Sequence, residues 1–220
     1  MKKPLYFAGV SGIIVLILSV FSGIFGQLIY NFSSEVVLIY SLVLWIVMTF
    51  FSIIFNLGFL FLAKKYKAKL LLVMTWISII ITLILFILMM VSNILYSVPG
   101  VNAQAEIFDF SDFEDGSMFT ETESGEISDE NIFLMIGLLV LWVIFSILYG
   151  AFSILFGIGL MKLKNDVRLS RASGILHIIS GATMIIFVGA FIAIAVMIVE
   201  TVMFFKASKE LESEKIVSKE

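Results

Sequence analysis

Two side chains able to carry a proton lie inside one long apolar run of this chain: His177 near its start and Glu200 near its end. Even on permissive insertion scales an ionisable group at the centre of a membrane helix costs about 2.5 to 3.5 kcal/mol, which makes each a functional candidate by default. Together they could form an ion pair or a proton-handling pair, histidine being the side chain that changes charge near physiological pH. The plainer reading is that each sits within two turns of a helix end and reaches water or headgroups by snorkelling. Which applies depends on how the run 172–205 is folded. Bent back on itself, it brings His177 and Glu200 to one depth; straight, it holds them some 34 Å apart, at about 1.5 Å per residue.

Little else in the chain could do chemistry. A single histidine and no cysteine exclude disulfides, thiolate metal sites and cysteine nucleophiles. No phosphate-cradling glycine loop, His-Glu-x-x-His or Gly-x-Ser-x-Gly occurs. The expectation is a protein that is not an enzyme, with no cofactor, no resident metal and no nucleic-acid partner. Gln27, Asn56 and Asn93 fall near the ends of apolar runs, where an amide is an interfacial hydrogen-bonding group. The segment Phe108–Gly116 combines acids with glycine, but an EF-hand register with Gly116 at position six puts Phe113 and Thr122 where ligands are required. Weak cation attraction by this acidic loop is what remains.

The elements that position these groups are written by a bilayer. The chain has 220 residues, 61% hydrophobic and 14% charged, far more apolar surface than a water-soluble domain of that size can bury. Five runs exceed the roughly 20 residues needed to cross a hydrocarbon core of about 30 Å: 5–30, 36–62, 70–96, 132–160 and 172–205. The fold class expected is all-α, a polytopic transmembrane helical bundle in the cell membrane. Met1-Lys2-Lys3 before an apolar stretch looks like a secretory signal, but that stretch is too long and lacks an Ala-x-Ala site, so it reads as an uncleaved first span.

Charge sets the orientation. Every one of the 14 Lys and Arg residues lies at the end of an apolar run, whereas the loop 97–131 is acidic and has no basic residue. Because short cytoplasmic segments collect Lys and Arg, the N-terminus, 63–69 and 161–171 are placed in the cytoplasm and 97–131 outside it. The run 172–205 is then the ambiguous element. As one helix it would measure about 50 Å and export the tail 206–220, a mixed-charge solvated segment; folded at Val188-Gly189 into two short helices, it returns the tail to the cytoplasm. The hairpin is favoured by charge, although its expected turn, Phe187–Phe191, has no polar residue to pair its backbone.

Small residues four apart offer close helix contact at Ala8 with Gly12, Ser19 with Gly23, Ser153 with Gly157 and Gly189 with Ala193. Trp45, Trp76 and Trp142 fall well inside runs, where they are expected to fill gaps between helices. Phe55-x-x-Gly58 before Lys64-Lys65 recurs as Phe156-x-x-Gly159 before Lys162, a loose internal repeat of the kind found in transporters. The C-terminal stretch, with Arg171-Ala-Ser-Gly174-Ile-Leu, Gly181-Ala182, Val188-Gly189 and Phe204-Phe205, resembles an uncharacterised archaeal integral membrane protein family known as domain of unknown function 996. That resemblance implies a compact all-helical membrane fold and no particular substrate.

Two functional readings follow. The first is a non-enzymatic accessory or scaffold-like membrane component whose partners are the lipid bilayer and another membrane protein or a second copy of the chain. The alternative is a small transporter or channel subunit in which His177 and Glu200 line a polar path.

Overall fold

In the computed structural model, the described residues are 3–29, 34–97, 129–163, 165–186 and 188–217. Phe108–Gly116 and most of the acidic loop lie outside them, and so does the cation expectation attached to that loop. Among the described residues there are six α-helices and no strand: α1 Lys3–Ile29, α2 Ser34–Lys65, α3 Lys69–Ser97, α4 Asp129–Met161, α5 Ser170–Ala182 and α6 Val188–Val217. Five of them, all but α5, are long and apolar enough to cross a membrane. This is the only secondary structure such segments can adopt singly in lipid, because a helix satisfies its backbone groups within itself. The chain is an all-α, multi-pass membrane bundle.

The helices form a closed ring. Each packs on its neighbour in sequence, and α6 returns to pack on α1. At the centre, Phe59 of α2 meets Phe156 of α4 and Phe204 of α6 with ring centroids 5.1 and 4.7 Å apart, and Phe55 adds an edge contact to Phe204 at 5.3 Å. The repeated Phe-x-x-Gly segments therefore meet in one aromatic core. Each glycine admits a neighbour: Gly58 faces Ala8 and Phe204, and Gly159 faces the backbone of Leu71.

This core lies at one end of the bundle. Leu5 from the start of α1, Leu62 and Ala63 from the end of α2, Leu71 from the start of α3, Leu160 from the end of α4 and Leu211 late in α6 are all buried in a single cluster. Leu163 and Val167, from the connector between α4 and α5, plug it from outside. Lys3, Lys64, Lys65, Lys67, Lys69, Lys162, Arg168, Arg171, Lys206, Lys209 and Lys215 all belong to these same helix ends and connectors. The basic residues among those described thus share the end that holds the core. The turn from α2 to α3 is a Schellman cap, with Ala68 N–H donating to the Ala63 carbonyl and Lys67 N–H to the Lys64 carbonyl. It places Lys67 in the left-handed region at φ 54°.

The run 172–205 is bent, as charge favoured, but two details differ from expectation. The chain turns earlier, at Thr183 and a single 3₁₀ turn Met184–Ile186, so that Val188 and Gly189 already begin α6. The polar groups that make this turn tolerable precede it. Ser180 donates to the Gly189 carbonyl at 2.8 Å, and the Thr183 carbonyl accepts from Ile186 N–H and Gly189 N–H. Gly189 lies against the Ser180 carbonyl and the Met184 backbone, where any Cβ would collide. The second difference concerns the tail. Residues 206–217 continue α6 rather than forming a separate solvated segment, and Ala207, Ser208 and Leu211 are buried. Trp76 also departs from expectation: it is 47% exposed on the outer face of α3 and fills no gap between helices.

Candidate functional site

Thirteen residues give α5 a length of about 20 Å, short of the roughly 30 Å of hydrocarbon. Nothing in its length holds it in a bilayer, and the hydrophobic effect does not drive helices together there. What holds it is a seam of small and hydroxyl residues. On α4 the seam is Ser146, Gly150, Ser153 and Gly157; on α5 it is Ser173, Gly174, His177, Ser180 and Gly181. A Cβ built on Gly157 would stand 2.5 Å from the Gly174 carbonyl oxygen, and one on Gly181 would stand 2.5 Å from that of Gly150. The two backbones are therefore in direct contact at two levels.

His177 and Glu200 meet inside this arrangement. The imidazole Nε2 lies 2.7 Å from Glu200 Oε1, with the side chains 16% and 5% exposed respectively. Ser173, one turn before His177 on α5, donates to the same carboxylate oxygen at 3.3 Å. On the other side of the ring, Ser153 of α4 donates to the His177 carbonyl at 2.9 Å and stands 3.2 Å from Nδ1. The Phe156 ring covers the imidazole, centroids 5.0 Å apart. The pair thus ties α5 to α6, and Ser153 ties both to α4.

Such a pair is not a strong source of net stability, because removing two charged groups from water offsets most of their attraction. It is a strong determinant of which arrangement forms. Removing one partner leaves the other buried without compensation, at a cost of about 3 to 5 kcal/mol. On its far side, α6 meets α1 through Thr201, whose hydroxyl lies where a Cβ on Gly12 would stand. The Thr201 and Ser146 hydroxyls are buried and have no hydrogen-bond partner among the described residues.

Of the other residues singled out from sequence, Asn93 accepts a hydrogen bond from Ser41 at 2.9 Å and so links α3 to α2, while Asn56 donates to the Ser52 carbonyl of its own helix. Gln27 lies within α1, away from the seam in sequence. Gly12 and Gly157 make close helix contacts, whereas Gly23 faces open space. Sequence reasoning missed Ser173 and treated Ser153 only as half of a packing pair. The signal was present in the spacing, since Ser173, His177 and Ser180 fall at i, i+4 and i+7 on one helical face. No group of three or more His, Cys, Asp and Glu residues suited to a metal ion occurs among the described residues.

No family model matches the chain, and no curated protein or solved structure does.

Proposed function

We propose that this chain is a non-enzymatic accessory or scaffold-like component of the cell membrane, oriented with its N-terminus and its basic end in the cytoplasm. The observation that carries this reading is how fully the His177–Glu200 contact is packed: Ser173, Ser153 and Phe156 occupy its surroundings. A clasp suits an architectural role better than a path does. The orientation is supported by the gathering of basic residues at one end, where each Lys or Arg near anionic headgroups contributes about 1 kcal/mol of attraction. Its partners would be the lipid itself and a neighbouring membrane protein or second copy. The glycine pattern 171–205 remains the sole support for kinship with the archaeal family of unknown function.

A second reading, a small transporter or channel subunit, is favoured by the buried Thr201 hydroxyl next to Glu200, which has no hydrogen-bond partner among the described residues. Reconstitution separates the two. Full-length protein in sealed vesicles should leave proton and monovalent-cation flux at the background of empty vesicles, for wild type and Glu200→Gln alike. Flux above background that disappears in Glu200→Gln would overturn the accessory reading in favour of a conducting path.

A further inference from the structure

The hydrogen bonds around His177 fix how many protons the site holds. A backbone carbonyl can only accept, so in the 2.9 Å contact between Ser153 Oγ and the His177 carbonyl the serine must be the donor. Serine has one hydroxyl hydrogen. With that hydrogen on the shorter contact, the serine meets Nδ1, 3.2 Å away, as an acceptor, an arrangement that favours a proton on Nδ1. Nε2 then faces Glu200 Oε1 at 2.7 Å. A neutral ring protonated on Nδ1 has a bare lone pair at Nε2, which would point at the lone pairs of a carboxylate, so a hydrogen must lie between the two atoms. Whether drawn on nitrogen or on oxygen, it leaves the pair with no net charge, as burial demands.

We infer that His177 and Glu200 form a proton-binding site holding one bridging proton, with Ser153 as the positioning residue that keeps a second proton on Nδ1. This rests on the clasp described above and adds its ligand. Release is balanced as follows. The bridging proton leaves to water past His177, the more exposed partner, and the pair goes from neutral to a single negative charge. The ring's remaining proton then serves the carboxylate best on Nε2, so it transfers from Nδ1. Ser153 must rotate its hydroxyl off the His177 carbonyl to donate to the vacated Nδ1. Proton loss at the α5–α6 contact is thereby transmitted to the α4–α5 contact. Among the described residues, the groups facing the pair are Tyr149 of α4, a titratable side chain within electrostatic reach of Glu200, the neutral Ser173 of α5 and, beside Glu200, Thr201, whose hydroxyl meets Gly12 of α1.

The chain's single histidine makes the test direct. Full-length protein labelled with ¹⁵N-histidine in lipid vesicles gives one Nδ1 and one Nε2 resonance. At neutral pH Nδ1 should report a protonated nitrogen; raising the pH should convert it to an unprotonated one while Nε2 keeps its proton. Ser153→Ala, which removes the acceptor at Nδ1, should move that conversion to lower pH, and Ser153→Thr should restore the original. Unprotonated Nδ1 in the wild type at neutral pH, or a tautomer indifferent to Ser153→Ala, would overturn the proton assignment while leaving the clasp standing. Identical titration of the histidine in wild type and Glu200→Gln would overturn both.

Discussion

Gly174→Ala is the substitution that most sharply tests how α5 is held. A Cβ there would lie 2.6 Å from the Gly157 carbonyl oxygen and 2.7 Å from Met161 Cγ. The methionine can move aside, but the carbonyl belongs to the α4 helix. Restoring ordinary contact at 3.4 Å requires the two helices to part by about 0.8 Å. Overpacking of this kind costs about 1 to 3 kcal/mol, and separation also loosens the neighbouring backbone contact of Gly181 with Gly150. Against this stands the better helix propensity of alanine, about 1 kcal/mol. A net loss of about 1 to 2 kcal/mol is expected, read as a lower unfolding midpoint in mixed micelles titrated with denaturing detergent and followed by tryptophan fluorescence. Gly137→Ala is the internal control, because nothing lies within 4 Å of its Cβ position, and it should be neutral or slightly stabilising. Equal effects of the two substitutions would refute backbone contact as what holds α5.

Breaking the clasp with His177→Ala should destabilise by about 3 to 5 kcal/mol, while the double change His177→Phe with Glu200→Met should recover most of it, measured as a double-mutant cycle on the same midpoint. Thr201→Val removes a buried hydroxyl that has no partner among the described residues and should raise stability by about 1 kcal/mol. Lys67→Gly relieves a left-handed residue in the α2–α3 turn and should also stabilise, by about 1 kcal/mol. Ser213→Cys, near the end of α6 and in a chain with no other thiol, should react with a membrane-impermeant thiol reagent only after cell lysis. Labelling in intact cells would put the tail outside and contradict the proposed orientation.

The spans and the bend were legible because they rest on cruder quantities than packing. Apolar run length sets a helix, and the count of Lys and Arg at run ends distinguishes a returning C-terminus from an exported one. His177 and Glu200 were legible as a pair for the same reason, since a charged group in an apolar run stands out and a bend between them fixes their relative depth. The position of the bend was not. Glycine at 189 drew attention as a turn former, yet it serves as a site of close approach, and the turn forms where Ser180 and Thr183 can satisfy carbonyl and amide groups. The role of Ser153 was hidden for a different reason. A serine at small-residue spacing is equally suited to helix packing and to hydrogen bonding, and only the facing helix decides between them.

The burial of α6 beyond Phe205 shows why the charged tail misled. Lys206, Lys209, Glu210 and Glu212 suggest a solvated segment, but Ala207, Ser208 and Leu211 repeat at helical spacing between them and enter the core beside Leu163 and Val167. The chain thereby closes its ring at the basic end with hydrophobic contacts, while the short α5 is fixed farther along by glycines, hydroxyls and the His177–Glu200 pair. Those are different kinds of attachment. The first rests on apolar packing alone, whereas the second also involves a proton and one serine hydroxyl, so among the described helices α5 is the one whose hold a change in protonation would loosen.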